Sequence, residues 1–328
     1  MKKSKMLVAA SLCAASMMVL ASCGSSASTD NSASGSSADT SAAATESGAD
    51  GSSSDAAASK STGSADFDSS SDISVISRED GSGTRGAFVE LTGVQEEKDG
   101  EKVDMTTEDA QIANETAIVL TDVANDDYAI GYISLGSLDD TVKALNVDGA
   151  EPTADAIKSG DYTLARPFNI ATMEGADNEV ATDFINYIFS EDGQKIVEDN
   201  GYIAVDTKDY TSTQPSGKCV VGGSSSVSPL MEKLIEAYKD VNPNADIELQ
   251  TTDSTTGMSS CADGTYDIGM ASRELTDDEK AEGLTPQVIA TDGIAVIVNK
   301  NNPLSNISKD QLKQIYTGDI TTWDEVDQ

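Results

Sequence analysis

The chemistry in this chain is densest in Ser77-Arg78-Glu79-Asp80-Gly81-Ser82-Gly83-Thr84-Arg85, where two guanidinium groups, two glycines and several hydroxyls share one short turn. Gly81 and Gly83 reach backbone angles closed to other residues, so successive N–H groups can converge on one point. Ser82 and Thr84 add hydroxyl donors, and the forks of Arg78 and Arg85 suit a tetrahedral oxyanion. The alternating run 73–76 before the turn reads as a strand, and 86–91 after it as the opening of a helix. The positive end of that helix dipole then lies at the same point. The residues also fit a plain polar turn, with Thr84 as N-cap and the arginines paired to surface carboxylates. Short glycine motifs are common, so other segments have to decide.

Three later stretches repeat the pattern. A strand beginning at Cys219 runs into Gly223-Ser224-Ser225-Ser226-Val227-Ser228-Pro229 and then a helix with Leu230, Leu234 and Tyr238 on one face. The strand 247–250 leads into Asp253-Ser254-Thr255-Thr256-Gly257, and the strand 267–271 into Ser272-Arg273. Ser and Thr are good N-caps in any α/β protein, which accounts for one or two such turns. Four of them point to a site at the carboxyl ends of strands, where helix starts converge.

The elements between these turns alternate. Residues 92–116 read as a polar surface excursion leading into a helix, 117–120 as a short apolar run, 128–133 as a strand and 142–147 as another. A short helix over 153–159 follows Pro152, 166–172 is extended, and 180–189 and 193–200 show helical spacing up to Gly201. Residues 206–218 form a polar linker without apolar period. Strands alternating with helices make the folded part α/β.

Ahead of it, Lys2, Lys3 and Lys5 precede an apolar run to Leu20, and the run ends in Leu20-Ala21-Ser22-Cys23. That is a secretory leader over 1–22. Residues 23–70 are nearly all Ser, Ala, Gly, Asp and Thr, a tether that cannot bury enough surface to offset its ordering entropy.

The formal net charge is −36, with 57 acidic and 21 basic residues and no His. Nucleic acid is excluded as a partner. Any anion site must work through local donors shielded from the overall field. The absence of His removes the usual base for a Ser or Cys nucleophile, no metal-ligand spacing is present, and no cofactor is implied. A phosphatase or sulfatase reading therefore falls away, and the chain reads as a binder, not an enzyme. In an exported protein Cys219 and Cys261 could pair, although one begins a strand and the other sits on a helix.

The segments Gly223-Ser-Ser-Ser-Val-Ser-Pro-Leu, Asp267-Ile-Gly-Met-Ala-Ser-Arg-Glu-Leu, Asp292-Gly-Ile-Ala-Val-Ile-Val-Asn, Ile315-Tyr-Thr-Gly and Thr322-Trp323 resemble the first half of the phosphate-binding lipoprotein family of bacterial phosphate ABC transporters. Ser77-Arg-Glu-Asp-Gly-Ser-Gly-Thr-Arg, Ala129-Ile-Gly-Tyr-Ile-Ser-Leu-Gly, Arg166-Pro-Phe and Gly193-Gln-Lys-Ile-Val resemble its second half. Together they span nearly all of 73–328. The halves stand in reversed order, which suggests a circular permutation, with 206–218 joining the family's usual ends. A fragment of a tandem gene is the plainer alternative.

The resemblance implies a two-lobed, type II periplasmic-binding-protein-like fold with crossovers near 166–171 and 293–298. One lobe combines 71–165 with 294–328, and the other is 166–293 including the linker. It implies inorganic phosphate enclosed between the lobes, delivery to a permease and ATPase, and a lipid anchor on Cys23 at the extracytoplasmic face of the cell membrane. Carried over residue by residue, the phosphate contacts fall on Arg78, Ser82, Gly83 and Thr84 from one lobe and Ser226, Val227 and Ser254 from the other, with Gly83 and Val227 donating backbone N–H groups. Ser272 stands where some members carry an Asp that accepts the phosphate's own proton. Asp292 is the expected replacement, with a helix cap or surface turn as its plain alternative. Another oxyanion, sulfate or molybdate, and an adhesin or sensor that keeps only the scaffold are the competing functions.

Overall fold

The computed structural model describes residues 67–98 and 100–326. The expected leader, the lipidation site Cys23 and the tether as far as residue 66 lie outside the described residues. Among those described, the chain runs β1 (Ser74–Arg78), α1 (Gly83–Thr92), β2 (Gln95–Lys98), β3 (Glu101–Asp104), β4 (Gln111–Ala113), α2 (Thr116–Asn125) and β5 (Ala129–Ser134). Next come β6 (Lys143–Ala144), β7 (Asn146–Val147), α3 (Ala154–Ser159), β8 (Ala165–Met173), α4 (Glu179–Ile188) and α5 (Glu191–Asp199). The rest is β9 (Gly217–Ser224), α6 (Ser228–Val241), β10 (Ala245–Thr252), α7 (Ser254–Ala262), β11 (Ile268–Ala271), α8 (Asp277–Ala281), β12 (Leu284–Val298), β13 (Asn306–Ile307) and α9 (Lys309–Thr317).

One nine-stranded sheet threads the described residues in the order β10-β9-β11-β8-β12-β5-β1-β4, with β6 also on β12. The β9, β10 and β11 strands are mutually parallel, as are β1, β4 and β5, while β8 and β12 run against their neighbours. The 15-residue strand β12 pairs with β8 through Gly293 and with β5 from Ile294 on. It thereby carries the sheet from one half of the molecule into the other. The crossovers expected near 166–171 and 293–298 fall inside β8 and β12, which extend beyond them.

Each half has its own core. Phe184, Leu234, Tyr238 and Ile268 pack around β9 and β11. In the other half Phe88 stacks on Tyr132 at 4.0 Å between centroids, and Tyr316 meets Phe88 edge-on at 4.7 Å. Every residue of β5 is buried, so it reads as a continuous run instead of alternating, as strands covered on both faces do.

The stretch 92–116 holds more structure than its polarity suggests. The hairpin of β2 and β3 has no apolar alternation, but Glu97 faces Lys102 and Lys98 faces Glu101 across it, a pairing of opposite charges that suits an exposed ribbon. The apolar run 117–120 belongs to α2, whose Val119 and Val123 are buried one turn apart. Residues 142–147 divide between β6 on β12 and β7 on β13. Cys219 and Cys261 are free and buried, so the possible disulfide is not formed.

Two features bear on the order of the chain. The start of the folded part meets its end: Ile73 N–H donates to Thr321 O at 2.8 Å, Asp324 N–H to Ser69 O at 2.7 Å, and Phe67 packs on Tyr128 and Trp323. The linker 206–218 is fastened to its half. Asp183 accepts from Tyr210 and Ser212 hydroxyls at 3.0 and 2.7 Å, from Thr213 N–H at 3.0 Å and from Tyr238 of α6 at 2.6 Å. Burial works to raise the Asp183 pKa, but the bonds from Tyr238, Thr213, Ser212 and Tyr210 outweigh it and hold the carboxyl below its ordinary value.

Candidate functional site

Local sequence sets the site's donors. Ser82 caps α1, its side chain accepting from Arg85 N–H at 3.3 Å, and Asp253 caps α7 by accepting from Thr256 N–H at 2.8 Å. The first N–H groups of a helix have no partner inside it. Four helix starts, those of α1, α2, α6 and α7, approach one another between the halves, each carrying roughly half a positive charge of dipole.

Hydroxyls from both halves form one continuous set there. Thr84 and Ser226 lie 2.7 Å apart, Thr84 and Ser272 3.3 Å, Ser224 and Ser272 3.0 Å, and Thr116 lies 3.2 and 3.3 Å from Ser225 and Ser226. Ser272 N–H donates to Ser254 Oγ at 3.1 Å. Arg78, 1% exposed, donates from Nη2 to Ser225 at 3.0 Å and from Nη1 to Thr116 at 3.3 Å. Its charge is matched by Glu79, which accepts from Nε and Nη2 at 2.8 Å each. Behind it the Tyr132 hydroxyl accepts from Arg78 N–H at 3.2 Å, and burial pushes that phenol up to about 12, so it stays neutral.

The halves also meet just outside this set. Thr255 N–H donates to Gly81 O at 3.2 Å, and Arg273, held by Glu279 at 2.8 Å, reaches Thr255 Oγ1 at 3.2 Å.

Of the residues expected from sequence, Arg78, Thr84, Ser226, Ser254 and Ser272 come together, with Ser82 and Gly83 at the same helix start. Val227 stands apart: its N–H donates to Ser224 O at 3.0 Å and its side chain belongs to the core. Arg85 takes the plainer of its two readings: it turns outward to Asp80 and Asp104 at 2.7 and 2.8 Å and braces the turn through Arg78 O. The fourth turn does not open a helix at Ser272. Arg273 is drawn to Glu279, and α8 starts only after the capping box of Thr276. The fourth helix start comes instead from Thr116, whose N–H donates to Ser225 Oγ at 3.3 Å. Thr116 and Ser225 were missed, although a Thr directly before the apolar run 117–120 is a helix-start signal.

Asp292 is buried at 1% exposure, on β12 and directly opposite Arg166 of β8. Its Oδ2 lies 3.2 Å from Arg166 Nη2, and Gly136 N–H is 3.5 Å from Oδ1. A helix cap or surface turn does not describe this position. Burial pushes the carboxyl up to about 6, against the pull of Arg166 and of the nearby Gly136 N–H. Arg166 Nη2 also donates to Thr84 Oγ1 at 3.0 Å, so one guanidinium nitrogen separates Asp292 from the hydroxyl set.

Gly83 is required by proximity. A Cβ there would sit 2.5 Å from Ser254 Oγ and 2.8 Å from Ser272 Oγ. Gly83→Ala should hold the halves apart at this point, speeding hydrogen exchange at the starts of α1 and α7 by at least about tenfold while the sheet core stays protected. Unchanged exchange at both helix starts would show that this approach is not needed.

Comparison with known proteins places this geometry. A family model described as a PBP superfamily domain matches residues 32–192 and 209–328. The phosphate-binding protein PstS 2 of Streptococcus agalactiae serotype V is 53% identical over 260 residues, 79% of this chain and 89% of that protein. The crystal structure of a phosphate-binding protein of a phosphate ABC transporter from Streptococcus pneumoniae is 47% identical, superposes with a TM-score of 0.62, and is matched over 78% of this chain and 100% of its own. PstS of Bacillus subtilis is 36% identical over 115 residues, 34% of this chain and 38% of that protein. On the strength of the family model and the 53% identity, the chain belongs to the PstS family of phosphate-binding proteins, within the PBP superfamily.

Proposed function

We propose that this protein captures inorganic phosphate outside the cytoplasmic membrane and passes it, chemically unchanged, to the permease and ATPase of an ABC importer. The observation that carries this reading is the set of Thr84, Ser226, Ser254, Ser272 and Thr116 hydroxyls joined across the two halves, with the Arg78 guanidinium against it. Such a set supplies many donors without a large positive charge, which a dehydrated oxyanion needs. Entry of the anion exchanges hydroxyl–hydroxyl bonds between the halves for hydroxyl–phosphate bonds, so the halves part to admit it and close again around it.

Asp292 distinguishes phosphate from sulfate and molybdate in this reading. An ionised carboxylate accepts a hydrogen bond from an anion that still carries a proton and repels one that carries none. Burial gives the residue a folded-state pKa of about 6 against an ordinary 3.8. Taken alone, Asp292 favours folding below pH 3.8 and loses that contribution as pH rises through about 6, so its ionised form is kept at some expense of stability.

The leader and Cys23 support a lipid anchor, and no helix among the described residues is long and apolar enough to cross a membrane. The chain order is read as a circular permutation. The pairing of residues 69–73 with 321–324 and the fastened linker 206–218 support it.

Calorimetric titration should give one phosphate per chain with a Kd of about 1 μM or tighter. Excess sulfate should leave that affinity untouched above about pH 6 and begin to compete below it, as Asp292 protonates. Asp292→Asn should admit sulfate at every pH. A well-folded protein that ignores phosphate would sink the reading, and unaltered sulfate rejection in the Asn variant would sink the role of Asp292. For the anchor, Cys23→Ser should move the protein from the membrane to the soluble fraction, and continued membrane retention would refute it.

A further inference from the structure

Arg166 does more than balance Asp292. Its side chain is 2% exposed, and only one of its three nitrogens is engaged: Nη2, shared between Thr84 Oγ1 at 3.0 Å and Asp292 Oδ2 at 3.2 Å. Neither Nε nor Nη1 has a hydrogen-bond partner among the described residues. A guanidinium held this far from water with two donor groups unmatched is costly, because each donor has given up its water without gaining a partner. The planar fork suits an oxyanion, and the one nitrogen that is engaged already touches the hydroxyl set.

The bond to Thr84 sets a direction as well. A hydroxyl has one proton to give, and Arg166 occupies an acceptor position on Thr84 Oγ1. The Thr84 proton is therefore free for Ser226, Ser272 or an anion between them. Arg78 differs in this respect, since its Nε and Nη2 are taken up by Glu79.

We propose that Arg166 is a second guanidinium ligand of the bound anion, donating directly to it from the strand that joins the halves while it orients Thr84 as a donor. The assignment rests on the phosphate reading. From β8, next to the β12 strand that passes through both halves, Arg166 contacts a group of the opposite half, so anion capture and closure are reported at a single side chain.

Two measurements test it, together with wild-type phosphate titration. Arg166→Lys keeps a cation opposite Asp292 but removes the fork, and phosphate affinity should fall by at least about tenfold with the ligand-free melting temperature little changed. In the wild-type protein, Arg78, Arg85, Arg166 and Arg273 are all the arginines of the chain, so their side-chain Nε–H resonances can be assigned one by one. Added phosphate should shift and sharpen the Arg166 Nε–H signal and leave Arg85, which faces Asp104, in place. An unmoved Arg166 resonance in a protein that binds phosphate normally would overturn this assignment and leave the phosphate reading intact, as would Arg166→Lys binding within twofold of wild type. Should the Lys variant not fold, the resonance alone decides. A wild-type protein that does not bind phosphate overturns both.

Discussion

An oxyanion the size of phosphate leaves water only where nearly every oxygen finds a donor, and in this chain those donors must act inside a molecule of formal charge −36. A cluster of unpaired cations would attract the chain's own carboxylates first. Arg78 is matched by Glu79, and Arg166 by Asp292, so the buried charges of the site come as pairs. In the proposed reading, what remains to hold the anion is short-range: hydroxyl dipoles, helix starts and the outer nitrogens of paired guanidinium groups. The rest of the structure follows from bringing such groups from several elements to one place.

The sheet order does that. The turns after β1, β9, β10 and β11 all lie at the carboxyl ends of strands, and α2 adds a start from the same side. β8 and β12 join the halves as a pair of antiparallel strands, with Arg166 and Asp292 facing one another in the ladder. Because the ion pair is part of the connection itself, its geometry is set by backbone pairing instead of by long, flexible side chains on loops. Gly83 and Gly81 then let the α1 start approach the opposite half without a side chain in between.

Much of this was legible from residue types alone. Strand, glycine and hydroxyl turn, and helix start form a local pattern, so α1, α6 and α7 and their donors could be located before any tertiary contact was known. The family resemblance added the two lobes and the positions of Ser254, Ser272 and Asp292. Other features escaped. The outward turn of Arg85 depends on Asp104, a carboxylate contributed by β3, and no local rule links them. The inward turn of Val227 N–H depends on the turn geometry before α6. The place of Arg166 depends on register between β8 and β12, which sequence spacing does not encode. The hairpin of β2 and β3 was missed because its pairing is electrostatic and it has no apolar period.

Crystals grown with phosphate would test most directly whether one anion is held by both halves. Enclosure between them requires a single phosphate with Thr84 and Ser226 both within hydrogen-bond distance of its oxygens, and with the Thr84–Ser226 contact of 2.7 Å widened to admit it. A phosphate bound to one half alone, or bound elsewhere with the hydroxyl set still closed on itself, would contradict it.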